Sequence, residues 1–166
     1  MGAGTWESHH AITGLLFRYA ECVDQADFEG LSELFAHGTL RSSSAQESDQ
    51  GMRGAQVGRF YAATNKVHPD GTLRTRHLAT NVRIEIDESE GSATARSYNV
   101  VLQATPKLPF QPIAGGRYED RFERVDGVWR FADRLIHVDQ IGDMSEHLSF
   151  DLSKGGITPG EVPPGK

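Results

Sequence analysis

The sequence predicts an α+β fold, with helices in the first half of the chain and long antiparallel strands in the second half. Apolar residues recur every three or four positions as far as Tyr61, which indicates one buried face on each of several helices. After Leu73 apolar and polar residues alternate, which is the period of a strand with one buried face. Helices followed by a run of strands are typical of the α+β class.

Three helices are predicted before the strands. The first starts at Thr5 or Ser8 as N-cap. Its apolar face consists of Ile12, Leu15, Leu16, Tyr19 and Val23. The second follows Asp27, its predicted N-cap, and we expect it to end at Gly38. The third begins near Gly54.

The remaining segments predict strands and turns. A short strand at Thr39–Ser42 precedes a serine-rich loop over residues 42–51. Pro69-Asp70-Gly71 predicts a turn. Longer strands are predicted over residues 81–86, 93–103, 116–124 and 129–138. The first of these has Val82, Ile84 and Ile86 on one side. Asp126-Gly127 predicts a hairpin turn. Pro106, Pro109 and Pro112 predict a rigid connection with little capacity for strand pairing.

Length and composition limit the classes of function. The 166 residues correspond to one domain, predicted over residues 1–150, with a Gly- and Pro-rich tail over residues 151–166. The net charge of −6 provides no basic stripe for nucleic acid, and no apolar run is long enough for a membrane span. A single cysteine, Cys22, and no secretory signal lead us to expect a cytoplasmic protein.

A pocket is expected between the sheet and the helices. Four to six strands that bury one face against few helices curl around them, which forms a half-barrel or cone. Such a cavity is the default place for a small-molecule ligand. Tyr61, Tyr98, Tyr118, Phe60 and Phe110 are candidates either for the core or for the lining of that pocket.

Asp24 and His77 are the candidate acid/base residues. Asp24 lies at the C-terminal end of the first helix, where the helix dipole and burial would both raise the pKa of a carboxyl, as suits a general base. The alternative is a loop carboxylate bonded to nearby backbone N–H groups. His77 precedes the alternating strand and could move protons near neutral pH. Its alternative is a strand-end histidine bonded to solvent or backbone.

Other chemistry has little support in the sequence. His9, His10, His37, His68, His137 and His147 show no HxxxH or HExxH spacing, so no metal site is predicted. No GxGxxG follows a strand, and neither a P-loop nor a GxSxG elbow is present. We therefore expect no cofactor. Cys22 is predicted to face the core rather than to act as a nucleophile.

Four segments carry a family resemblance: residues 19–28 (YAECVDQADF), 73–81 (LRTRHLATN), 116–120 (GRYED) and 126–131 (DGVWRF). Together they resemble SnoaL-like proteins of the NTF2-like superfamily, near the scytalone dehydratase branch. The likeness covers roughly residues 6–150. It implies a cone of a curved, mostly antiparallel sheet wrapped by about three helices around a deep pocket. It also implies a homodimer, formed through the sheet, or a higher homo-oligomer.

The resemblance implies roles for individual residues. Scytalone dehydratase is a cofactor-free lyase in which an aspartate supports a histidine base and two tyrosines hold a water near the substrate carbonyl. Asp24, in Asp24-x-x-Asp27-Phe28, matches the aspartate, and His77, in Thr75-Arg76-His77, matches the histidine. The two tyrosine positions hold Val23 and fall near Ser43. The positions of a second histidine and an asparagine fall near Leu102 or Gln103 and near Tyr118.

Two functions follow as expectations. The first is a cofactor-independent lyase or isomerase that transfers protons on a small cyclic or polyketide-like substrate through Asp24 and His77. In it Tyr19, Tyr61, Tyr98 or Tyr118 would bind the substrate oxygen, and Phe60 would line the pocket. The second is a non-catalytic small-molecule-binding protein using the same pocket. A structural subunit like the β subunit of ring-hydroxylating dioxygenases ranks behind both.

Overall fold

Three helices and a five-stranded sheet make up the computed structural model, which describes residues 5–43 and 50–150. The helices are α1 (Trp6–Asp24), α2 (Phe28–Leu34) and α3 (Ala55–Thr64). The strands are β1 (Thr39–Ser42), β2 (Thr75–Asp87), β3 (Ser92–Thr105), β4 (Leu108–Val125) and β5 (Val128–Ile141). The predicted α+β class is confirmed. The predicted tail and most of the serine-rich loop lie outside the described residues.

The helix boundaries largely follow the sequence signals. Thr5 caps α1 by accepting a hydrogen bond from the backbone N–H of Ser8, and Asp27 caps α2 in the same way through Gly30. α2 ends at Leu34 with Phe35 as its C-cap, shortly before Gly38, the stop signal in the sequence. Phe35 is fully buried and stacks on Phe131 of β5 at 5.0 Å, so the chain turns toward the sheet there.

The sheet is open, curved and mostly antiparallel. Its strand order is β1-β5-β4-β3-β2, and only the pairing of β1 with β5 is parallel. Register shifts interrupt the pairing of β2 with β3, β3 with β4, and β4 with β5. Bulges of this kind bend a strand and increase its twist, which allows strands of 13–18 residues to curl around the helices.

Two strands begin earlier than the sequence predicted. β2 starts at Thr75 rather than at Asn81, and Asn81 itself lies at the bulge with a φ of 52°. The proline segment was wrongly predicted to be a connection, because β4 already begins at Leu108. β5 pairs with β4 only from Ala114 onward. Pro109 and Pro112 therefore lie where β4 has a single neighbour, and an edge tolerates the missing N–H groups.

The Asp126-Gly127 hairpin is confirmed. Asp126 and Gly127 have φ values of 51° and 80°, and they connect the paired residues Val125 and Val128. Positive φ at both central residues is the signature of a type I′ turn, whose twist matches that of the flanking strands.

The face of the sheet that meets the helices, called the inner face, carries the core. Alternate residues of the strands, among them Ala93, Ala95 and Phe122, pack against Ile12, Leu16 and other apolar residues of the helices. Further along the same face the side chains become polar. Ser97 and Asn99 continue the buried positions of β3 beyond Ala95. The opposite face, called the outer face, carries mostly charged side chains.

A buried ion pair crosses the inner face. Arg134 of β5 donates two hydrogen bonds to the Asp120 carboxylate of β4, at 2.7 and 2.9 Å, and both side chains are essentially inaccessible. The guanidinium carbon lies 4.3 Å from the ring centroids of both Tyr19 and Tyr118, so α1 and the sheet hold the cation between two aromatic faces. The pair fixes how α1 lies on β4 and β5.

We expect Arg134→Met to destabilise the protein by about 3–5 kcal/mol, because it leaves the Asp120 carboxylate buried without its counter-ion. Urea unfolding measures the loss. The double variant Asp120→Leu with Arg134→Met should recover part of it. The matched control is Arg117→Met, which breaks the exposed Arg117–Asp139 pair of the outer face and should cost much less. Equal losses in both single variants would contradict this account.

Candidate active site

Asp24 and His77, far apart in sequence, form a hydrogen-bonded pair. His77 Nδ1 lies 2.6 Å from Asp24 Oδ1, and the backbone N–H of His77 donates to Asp24 Oδ2 at 3.0 Å. The Thr75 hydroxyl donates to Oδ1 at 2.6 Å. The side chains of Asp24 and His77 are about nine-tenths buried, at 9 % and 10 % exposure. The loop-carboxylate and solvent-bonded alternatives for the two residues do not describe this geometry.

The local structure explains why the pair forms. Asp24 is the last residue of α1, and its backbone carbonyl accepts a hydrogen bond from the N–H of Leu73, just before β2. The contact aligns the end of α1 with the start of β2. Thr75 and His77 are two residues apart on that strand, so both side chains point to the inner face and reach the same carboxylate.

The hydrogen bonds keep Asp24 ionised. Burial alone would raise the pKa of this carboxyl, but the hydrogen bond and the charge of the His77 ring, together with the Thr75 hydroxyl, hold the pKa below its ordinary value. An ionised Asp24 accepts the Nδ1 proton of His77, which directs Nε2 away from the carboxylate. No hydrogen bond among the described residues occupies Nε2. The pair therefore has the arrangement of an oriented general base.

Two of the four candidate tyrosines bond to each other. The hydroxyls of Tyr19 and Tyr61 lie 2.5 Å apart, and the rings meet edge to face. Burial raises the pKa of Tyr61 to about 12, and the nearby Tyr118 adds to this effect. The hydrogen bond with Tyr19 acts in the opposite direction. Burial also raises the pKa of Tyr19 well above its usual value. Both hydroxyls are thus neutral and already partnered.

Tyr118 is the candidate tyrosine with a free hydroxyl on the inner face. It lies on β4 beside Ser97 of β3, and it makes no hydrogen bond among the described residues. Burial raises its pKa well above the ordinary value, and the negative charges of Asp120 and Asp24 add to this effect. The hydroxyl of Tyr118 is therefore available as a neutral donor.

The remaining two candidates for substrate binding are Tyr98, on the outer face, and Phe60, at the side of the core. Tyr98 is 53 % exposed on the outer face, opposite Thr80 and Arg117, so the structure does not bring it to the Asp24–His77 pair. The cause is the two-residue period of β3, which sends Ser97 and Asn99 inward and Tyr98 outward. Phe60 packs edge-on against Tyr61 at the side of the core.

His147 is a site residue that sequence reasoning missed. Its ring lies 6.5 Å from the ring of His77, between centroids, and the residue is almost fully buried, with 7 % exposure. It belongs to the segment after β5, which folds back so that Leu148 forms an antiparallel bridge with Asn65. No spacing in the sequence links His147 to His77, because the two rings meet only when the chain after β5 folds back past the end of the sheet.

Several buried polar atoms on or near the inner face have no hydrogen-bond partner among the described residues. They are Ser97 Oγ, Asn99 Nδ2, Arg134 Nη1 and His147 Nδ1. Asn99 pairs with Ala79, and His77 pairs with Val101, so Asn99 and His77 are diagonal neighbours on adjacent strands. Diagonal same-face side chains lie within reach of one ligand. Buried groups of this kind normally have a partner, so each of these atoms is available to a polar ligand or water.

Known proteins share this architecture. The SnoaL-like domain family matches residues 4–135. The chain belongs to this family. A single-residue variant of Rv3472 from Mycobacterium tuberculosis, described as a protein of unknown function, is 27 % identical, with a TM-score of 0.65 over 82 % of this chain and 74 % of that one. No curated protein matches the chain.

Two further solved structures show the same fold at lower identity, and both come from Novosphingobium aromaticivorans. A putative scytalone dehydratase is 22 % identical, with a TM-score of 0.60 over 82 % of this chain and 87 % of that one. The β subunit of a putative aromatic-ring-hydroxylating dioxygenase is 19 % identical, with a TM-score of 0.59 over 82 % and 92 %. The NTF2-like, cystatin-like cone is thereby confirmed. One fold hosts different functions, so the chemistry has to be argued from the site.

Within residues 5–43 and 50–150 of this SnoaL-like domain, no three His, Cys, Asp or Glu side chains are grouped so that they could hold a metal ion. None of the helices there is long and apolar enough to cross a membrane. Cys22 is buried, and burial raises the pKa of its thiol to about 11, so the thiolate is disfavoured.

We expect His147 to make the SnoaL-like domain less stable in mild acid. Burial, with the nearby His77, lowers the pKa of His147 from 6.5 to about 4. The unfolded chain therefore binds the proton more strongly, and stability falls as the pH drops from about 6.5 to about 4, by up to about 3 kcal/mol. Urea unfolding across this window measures the slope.

The control compares two histidine variants. His147→Gln should flatten the pH dependence in that window, whereas His137→Gln should not, because His137 lies on the outer face beside Glu119. An unchanged slope in His147→Gln would show that His147 is not buried in its neutral form.

Proposed function

We propose that this protein is a cofactor-independent lyase or isomerase that moves a proton next to a carbonyl group of a small cyclic or polyketide-like substrate. The 2.6 Å hydrogen bond between His77 Nδ1 and Asp24 Oδ1 carries the proposal. It leaves a basic nitrogen turned away from the carboxylate, on a face where polar atoms are unpartnered. A positioned base of this type contributes about 10²- to 10⁴-fold to the rate of a proton transfer.

The proton transfer follows from the geometry of the pair. His77 Nε2 takes a proton from the carbon next to the substrate carbonyl, and the electrons of the C–H bond move to the carbonyl oxygen as an enolate. The ring is then an imidazolium, and the ionised Asp24 stabilises it through Nδ1–H. Return of the proton to another carbon gives an isomerase. In a lyase the enolate re-forms the carbonyl, the bond from the next carbon to its leaving group breaks, and the imidazolium returns its proton to the departing group.

Tyr118 is the residue we assign to the enolate oxygen. It is the inner-face tyrosine whose hydroxyl is free among the described residues, and it stays protonated because burial raises its pKa. A neutral hydroxyl in a buried site stabilises the negative charge that develops on the oxygen. Tyr19 and Tyr61, bonded to each other, support this arrangement by holding α1 and α3 together.

The proton-transfer step is tested without knowledge of the natural substrate. Incubation with 2-tetralone in D₂O measures deuterium uptake next to the ketone by NMR. We expect the protein to accelerate this exchange, and His77→Gln and Asp24→Asn to reduce the acceleration by about 10²-fold or more. The matched control is His137→Gln, which changes a histidine with a carboxylate partner on the outer face and should leave the exchange intact.

Each outcome separates the two candidate functions. Binding of the ketone with no acceleration over buffer would contradict catalysis and favour a non-catalytic binding protein. Acceleration that survives His77→Gln would remove His77 from the mechanism.

The role of Tyr118 makes a separate prediction. Tyr118→Phe removes the hydroxyl and keeps the ring against Arg134. We expect kcat for deuterium exchange to fall by about tenfold or more, with a smaller change in KM, because the hydrogen bond strengthens as charge develops on the oxygen. Tyr98→Phe, on the outer face, is the control. A loss confined to KM would assign Tyr118 to ground-state binding alone.

A further inference from the structure

The segment that carries His147 is fixed against the sheet by its backbone. The carbonyl of His147 accepts a hydrogen bond from the N–H of Lys66 at 2.8 Å. The neighbouring carbonyl of Glu146 accepts from Gln103 Nε2 and from His68 Nε2, both at 3.0 Å. These contacts use the main chain, so they set the position of His147 without engaging its ring.

The ring of His147 is left without a partner. Its Nδ1 atom is buried and unbonded, and no hydrogen bond among the described residues reaches Nε2. A neutral imidazole has one donor and one acceptor, and leaving them unpaired in the interior costs free energy. The residues available to the ring from other elements are His77 on β2, Asp24 on α1 and His68 before β2. Asp24 is already occupied by His77 and Thr75.

The two rings of the site differ in their partners. The His77 ring bonds to the Asp24 carboxylate, but no carboxylate among the described residues contacts the His147 ring, and the Glu146 side chain lies beside Lys66 instead, at 3.6 Å. Burial lowers the pKa of His147 to about 4, so this ring is neutral at physiological pH. A neutral imidazole can donate a hydrogen bond to a substrate oxygen without transferring a proton.

We propose that His147 is a second substrate-contacting imidazole, which holds an oxygen of the substrate by a neutral hydrogen bond while His77 moves the proton. This rests on the function proposed above and extends it to the substrate class. The centroids of the two rings lie 6.5 Å apart, so one small oxygenated ring bound beside them could contact both, with a carbon at His77 and an oxygen at His147. A hydroxy-ketone or a phenol meets this requirement, whereas a hydrocarbon does not.

The experiment records ring-¹⁵N histidine NMR spectra as 4-nitrophenol or 2-tetralone is added. We expect the signals of both His77 and His147 to shift, and the His147 ring to remain neutral from about pH 5 to 7. His147→Phe should weaken 4-nitrophenol binding about tenfold, and His147→Gln, which keeps a donor and an acceptor, should retain most of the affinity. Urea midpoints of the variants show whether each one folds.

His68→Phe is the matched control for a purely structural role. It removes the hydrogen bond to the same segment, through the Glu146 carbonyl, but leaves the His147 ring in place. An equal loss of affinity in His68→Phe and His147→Phe would overturn the proposal, because it would mean that only the position of the segment matters.

The outcomes separate this inference from the proposed function. If deuterium exchange depends on His77 while His147 neither shifts nor matters for affinity, the role of His147 is overturned and the proton-transfer function stands. If neither probe shifts either histidine and no exchange occurs, both are overturned. Loss of exchange with retained shifts at both rings would overturn catalysis alone, and His147 would remain a ligand contact.

Discussion

The structure depends on the Asp24 carboxylate. It receives hydrogen bonds from the Thr75 hydroxyl, the His77 backbone and the His77 ring, so one side chain joins the end of α1 to the start of β2. A carboxylate at the C-terminal end of a helix is otherwise unfavourable, because the helix dipole is negative there. Three donors compensate for this position and for burial. The same contacts that close the helix layer onto the sheet also orient the base, so stability and proposed chemistry share one group.

Charged side chains have different surroundings on the two faces of the sheet. On the outer face, cations such as Arg117 bond to neighbouring carboxylates in contact with solvent. On the inner face, Asp120 and Arg134 neutralise each other between two tyrosine rings. His77 on the inner face and His147 beside it are largely buried from solvent. Hydrogen bonds to a ligand are stronger there than in water.

Membership of the SnoaL-like family establishes the fold, but the chemistry depends on the side chains of the site. Relatives with the same cone are described as a dehydratase and as a dioxygenase subunit. The resemblance to the dehydratase predicts a tyrosine pair at positions that hold Val23 and fall near Ser43, whereas Tyr118 and His147 are buried in this chain. The hydrogen-bonded Asp24–His77 pair is therefore present without that tyrosine pair.

The sequence by itself determined the class of the fold and most of its elements, because hydrophobic period, the capping residues Thr5 and Asp27, and the Asp126-Gly127 turn are local signals. It also identified Asp24 and His77, through local context and family resemblance. Only the tertiary structure decided which candidates meet. The pleat of β3 sends Tyr98 outward, the truncated pairing of β5 lets the proline segment form a strand edge, and the returning segment brings His147 to His77. These outcomes depend on contacts between residues distant in sequence, and no local pattern encodes such contacts.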